Sequence, residues 1–211
     1  MERCHVTTYS GCMMRATTAM TLNHPDGQSF RFDAGALCLE LLVTGGPGPV
    51  AARFEVLDRA EGLLEWVRQC RLAPGLDPTV TPAELARVRE IRDALWRLAR
   101  ARAYGQPLAP EDIGSVNEAA AHPPLVARIT ADGERTWAPG ATAAALLSTV
   151  ARDAIELLTG ADADRIRECG SATCSLLFVD TSRPGRRRWC SMERCGNRHK
   201  VRAHRARTHQ E

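Results

Sequence analysis

Four cysteines near the C-terminus constrain this chain more than any other feature: Cys169-x4-Cys174 and Cys190-x4-Cys195, two equally spaced pairs with fifteen residues between them. Two short loops that each present two thiolates are the arrangement by which a tetrahedral zinc ion joins separate pieces of backbone. A segment of about forty residues cannot bury enough apolar surface to fold alone, and a structural zinc supplies the missing about 10–16 kcal/mol at neutral pH. The spacing predicts one Zn2+ held by Cys169, Cys174, Cys190 and Cys195. Four thiolates also suit an iron–sulfur cluster, so the ligand set alone does not exclude one. Between the pairs, SLLFVD and RRW flank SRPG and are expected to form a hairpin, with Leu176 or Leu177, Phe178 and Trp189 beside the metal. His199 follows Cys195 by four residues, but four thiolates already complete such a site.

The other cysteines, Cys4, Cys12, Cys38 and Cys70, are scattered singly. Cys38 and Cys70 fall in apolar helical patterns, which favours core packing over reactivity. No apolar run is long enough to span a bilayer, and the N-terminus lacks the apolar stretch of a secretory signal. A cytoplasmic address without a membrane partner is the expectation, and in that reducing compartment paired cysteines read as metal ligands rather than disulfides.

A net charge of +3 conceals an asymmetry. Residues 165–211 hold 12 Lys and Arg against 4 Asp and Glu, a balance of +8, whereas residues 1–164 hold 16 against 21, a balance of −5. Lys200 is the sole lysine, so the density of arginine, not its identity, is the signal. After Cys195, GNRHKVRAHRARTHQE has no proline and reads as a helix. At 100° per residue, Arg198, Arg202, Arg205 and His209 share one face, and Lys200, His204 and Arg207 another. Such a cationic helix repels itself until an anionic surface neutralises it. With Arg183, Arg186, Arg187 and Arg188 in the preceding turn, it predicts a nucleic-acid partner bound through phosphate neutralisation, the helix presented by the zinc core.

The preceding body reads as helix-dominated α+β with a little sheet. Residues 1–28 show no period and are expected to be a flexible leader; residues 29–160 form the body and 165–211 the finger. Phe30 and Phe32 alternate like a short strand before the apolar run Leu37 to Val43, and GGPGPV breaks the chain. Leu57, Leu63, Leu64, Trp66 and Val67 suit one helix face. Thr81, Pro82 and Glu84 make a capping box for a long helix with inward Leu85, Val88, Ile91, Leu95 and Leu98, closed by Gly105. A shorter helix spans Pro110 to Ala121, with Ile113 and Val116 inward. LVARIT and RTWA flank an Asp-Gly turn, and a last amphipathic helix ends at Gly160. The faces of the body look complete there, so it is expected to fold without the finger.

Nothing in the body announces catalysis: it has no glycine-rich phosphate loop, no G-x-S-x-G elbow and no His-Glu-x-x-His pair. Glu84, Glu90, Asp93, Asp153 and Glu156 read as solvated charges, and His24 and His122 as loop residues beside prolines. The chain is therefore not expected to be an enzyme.

The run FVDTSRPGRRRWCSMERCGNRHKVRAHRAR closely resembles the CGNR zinc-finger family of bacteria, whose name is spelled by Cys195, Gly196, Asn197 and Arg198. The order of FRFDAGALCLELLVT, LARVREIRDALWRL and ARDAIELLT resembles the ABATE, or stress-induced transcription regulator, domain that precedes that finger. Where such members carry an LDFxNT-like stretch, this chain has Leu39, Glu40, Leu41, Leu42, Val43 and Thr44, with the acid and amide positions altered. The resemblance implies a treble-clef-like finger with zinc on the four named cysteines, and a DNA-binding transcription regulator whose N-terminal domain senses a small-molecule ligand. The alternative is a ligand-binding or enzymatic body with the finger as a structural or protein-docking module.

Overall fold

The computed structural model describes residues 19–24 and 26–208. Most of the expected leader, with Cys4 and Cys12, lies outside the described residues, as does His209. Its last part is ordered sheet: β1 (Met20–Asn23) pairs antiparallel with β2 (Ser29–Phe32) in the register Met20↔Phe32. Met20, Phe30 and Phe32 are buried beneath this hairpin. A four-residue strand whose only apolar positions are Met20 and Leu22 gives too short an alternation to read, so β1 corrects the expectation of a leader at Met20–Asn23.

After β2 comes a short buried helix, α1 (Leu37–Leu41), and a 3-10 turn over Leu42–Thr44. The chain then reverses through Gly45 and Gly46, at φ 134° and 147°. A Cβ on Gly45 would lie 2.9 Å from the Glu55 carboxylate and 3.0 Å from the Arg92 guanidinium, so glycine serves both the backbone angle and the close approach.

Four longer helices follow: α2 (Ala60–Gln69), α3 (Pro82–Ala103), α4 (Pro110–Ala121) and α5 (Ala143–Thr159). The capping box of α3 is formed as expected. Thr81 Oγ1 accepts from the Glu84 N–H at 3.2 Å, and the Glu84 carboxylate accepts from the Thr81 N–H at 2.9 Å. Val88, Ile91, Leu95 and Leu98 of α3 are buried against α4 and α5. In α4 the inward face is Asp112, Val116, Ala119 and Ala120. Ile113 is exposed, correcting the expectation, because Asp112 turns inward to accept both Nε and Nη2 of Arg97. Between α4 and α5, β3 (Ala127–Ile129) and β4 (Arg135–Trp137) form the expected hairpin, paired Ala127↔Trp137.

Among the described residues Arg92 is the largest fully buried side chain. Its guanidinium donates to both carboxylate oxygens of Glu55 at 2.8 Å, and to Asp93 and the Thr44 carbonyl, tying α3 to the glycine turn. Removing Glu55 leaves the buried guanidinium with Asp93 as its sole carboxylate partner among the described residues. Glu55→Ala is expected to cost about 3 kcal/mol and lower the melting temperature by about 6–12 °C. A melting curve that superimposes on the parent's would show that the pair does not hold the turn.

The core does not stop at Gly160. Beyond a 3-10 turn (Ala163–Arg165), β5 (Ile166–Glu168) pairs antiparallel with β6 (Leu177–Val179), Ile166 opposite Val179. Ile166, Leu177, Phe178 and Val179 are at most 1% exposed and belong to the same hydrophobic cluster as α1, α3 and α5. The Val179 N–H donates to the Ala34 carbonyl at 2.9 Å. The expected hairpin of SLLFVD with RRW is thus replaced: the strand partner of SLLFVD lies before the first cysteine. The fold is a helix-dominated α+β body whose core runs on into a small cysteine-bearing unit.

Candidate metal centre and nucleic-acid face

The two strands hold the first cysteine loop between them. The Cys169 N–H donates to the Leu176 carbonyl and the Cys174 N–H to the Ser171 carbonyl, both at 2.9 Å, which closes residues 169–174 into a knuckle. Of the second pair, Cys190 precedes and Cys195 sits within a π-helical turn, Met192–Gly196, that leads directly into α6 (Asn197–Thr208). Ser191 caps this turn through the Glu193 N–H. Cys195 therefore anchors the start of the basic helix.

The four sulfur atoms lie within 4.8 Å of one another. Cys174 Sγ and Cys190 Sγ are 3.8 Å apart. That is far beyond a disulfide bond and equals the edge, about 3.8 Å, of a tetrahedron with Zn–S bonds of about 2.3 Å. The Cys190 N–H points at Cys169 Sγ, at 3.5 Å, a contact of the kind that orients and stabilises a metal thiolate. Hydrogen bonds from Cys174, Cys190 and Cys195 hold the Cys169 thiol far below its ordinary value. The set fits one Zn2+. Cys38 and Cys70 are buried and apart from it, and burial pushes the Cys70 thiol up to about 11, so both are packing residues, as expected.

Trp189 packs beside both cysteine loops. Its ring meets His199 at a tilt of 37°, centroids 4.7 Å apart, and His199 stands outside the four-sulfur cluster. A Cβ on Gly170 or Gly196 would lie 3.2 or 3.4 Å from the same indole.

The arginines of the turn divide into two kinds. Arg183, Arg186 and Arg188 are exposed. Arg187 points inward: its guanidinium lies 4.1 Å above the Phe178 ring and donates to the carbonyls of Asp33, Trp189 and Cys190. With most of its N–H groups directed at carbonyls of its own fold it is a structural residue and not a free cation like its neighbours, which corrects the expectation for that residue. Asp180 organises the same loop. Burial by itself would raise its carboxyl, but the Ser182 hydroxyl and the Arg187 and Ser182 N–H groups hold it below the usual range.

Arg187→Ala is expected to lower stability by about 2–3 kcal/mol, since three carbonyls lose charged donors, whereas Arg186→Ala should be neutral within about 0.5 kcal/mol. Equal effects in urea unfolding would contradict this division.

Arg198, Lys200, Arg202, Arg205 and Arg207 are exposed along α6. Among the described residues, no carboxylate lies within ion-pair distance of Lys200, Arg202, Arg205 or Arg207, and Arg198 has a single one, Asp26, at 3.7 Å. Sequence reasoning missed Arg194. It is buried, pairs with Asp26 at 2.8 Å, bonds Gln28 at 2.9 Å and stacks on Phe30. It pins the finger to the β1–β2 hairpin. The only signal for it is that it lies between two presumed ligands, where little room is left for a solvated side chain.

The helical body and the cysteine unit match two family models end to end. Residues 35–161 match ABATE, described as "Putative stress-induced transcription regulator", and residues 165–208 match the CGNR zinc finger. No curated protein matches the chain at a significant level. Among the described residues no helix is long and apolar enough to cross a membrane. Because the first match spans more than half of its residues and the second takes up where the first ends, the chain belongs to the ABATE family and carries a CGNR zinc finger behind its helical body.

Proposed function

We propose that this protein is a zinc-dependent DNA-binding transcription regulator. Cys169, Cys174, Cys190 and Cys195 hold one zinc ion, and the finger docks on duplex DNA through α6. The observation that carries the reading is the row of exposed cations on α6 with no carboxylate beside four of them among the described residues. A helix in that state gains free energy by replacing the counterions of a phosphate backbone. Zinc bound there acts structurally: it fixes the turn Met192–Gly196 from which the helix starts.

In this reading Arg198 or Arg202, in the first turns of α6, reaches a base edge. Lys200, Arg205 and Arg207, with Arg183, Arg186 and Arg188 of the turn, neutralise phosphate. The N-terminal body has the regulatory role. The matched families are a putative transcription regulator and a zinc finger, which favours a regulator over an enzyme. The protein in this reading works in the cytoplasm, on DNA.

The test is duplex-DNA binding by the zinc-loaded full chain, followed by anisotropy before and after chelation. Binding that disappears with the metal and returns with added zinc supports the reading. Binding that is absent from the loaded protein, or unmoved by chelation, overturns it.

A further inference from the structure

A cavity of about 100 Å³ lies where the β1–β2 hairpin, the glycine turn and both cysteine loops meet, in contact with residues from each. Its walls are mainly apolar: Leu22, Phe30, Leu42, Val43, Phe54 and Leu176. The buried charges around it are already engaged. Arg194 bonds Asp26 and Gln28, the His24 ring is 2.9 Å from Asp26, and Arg198 faces Asp26 from the rim, while Cys174 and Cys195 belong to the metal set. Apart from the exposed Arg198 at the rim, an ionic ligand would find no free counter-charge along the buried walls. Asn23, Thr173 and Ser175 supply neutral hydrogen-bonding groups on the wall.

From this chemistry we infer that the cavity is a binding site for a small neutral aromatic molecule, a single ring bearing one hydroxyl-like group. Pockets that hold small ligands combine apolar walls with a few placed polar groups in this way. An enclosed apolar cavity of about 150 Å³ takes up benzene. Here the space is smaller but open on one side, so a ring enters with its polar end towards the mouth. The occupant would touch the hairpin, the stretch Leu42–Val43 and the finger together. It acts as a strut between the ABATE body and the zinc centre.

The experiment is a titration of the zinc-loaded full chain with 4-fluorophenol, followed by fluorine NMR in the absence of DNA. Saturable binding at about millimolar concentration or tighter is expected for a ligand of this size, with nuclear Overhauser contacts from the ring to the methyls of Leu22, Leu42 and Leu176. Val43→Trp and Ser175→Trp, which fill the space from two sides, should each weaken binding at least about tenfold with zinc content retained. Absence of saturation, ring contacts to other methyls, or filled variants that bind like the parent would each overturn the site. Should both variants misfold, the methyl contacts in the parent decide. The titration contains no DNA, so its failure leaves the proposed function standing, and failure of DNA binding leaves this site standing.

Discussion

Replacing Cys174 and Cys190 together by serine is expected to abolish zinc binding and to lower the melting temperature of the whole chain by about 10–20 °C. Each change removes a thiolate from a set whose sulfurs lie within 4.8 Å. Metal-linked folding energy of about 10–16 kcal/mol matches the entire stability of an ordinary domain, about 5–15 kcal/mol. Losing even about 5 kcal/mol of it translates into the stated shift at this chain length. The effect reaches the body because Ile166, Leu177, Phe178 and Val179 share its core. For the same reason a chain ending at Gly160 should melt well below the parent and with lower cooperativity. If the double variant keeps one zinc per chain, or melts with the parent, the metal centre is wrongly assigned.

The second large effect concerns recognition. Arg198→Ala, Arg202→Ala and Arg205→Ala combined should weaken duplex binding about 100-fold at moderate salt, and reduce the slope of log K against log salt by about one for each arginine that contacts phosphate. An arginine that reads guanine behaves differently: its loss costs about 1–3 kcal/mol and relaxes one position of the target site. In the turn, Arg186→Ala and Arg188→Ala should show the phosphate pattern. Arg187→Ala should act through stability, its guanidinium being committed to the carbonyls of Asp33, Trp189 and Cys190. A triple variant that binds DNA as tightly as the parent with its zinc intact would remove α6 from the interface.

What was legible in the sequence was what is local. The two Cys-x4-Cys loops, the capping box at Thr81 and the apolar stripe of α3 each lie within a few turns of chain, and each is found where its residues predict it. Three features depend on distant partners and were not legible. Arg186, Arg187 and Arg188 are identical in type, and only the Phe178 ring and the Asp33 carbonyl single out the middle one. SLLFVD pairs with β5 because the Asp180 carboxylate gathers the following loop onto itself, leaving RRW outside the sheet. Met20–Asn23 becomes a strand because β2 and the core beneath it are there to receive it. The boundary at Gly160 marks the end of a helix pattern, whereas the apolar core continues across it.

A zinc-held helix that neutralises phosphate is tested most directly by one salt titration. Duplex affinity of the zinc-loaded chain should fall steeply between 50 and 200 mM salt, by about 10³-fold or more if six or more phosphates are neutralised, and the steepness should vanish when the metal is removed. An affinity flat across that range, or a slope unchanged in the metal-free chain, would contradict it.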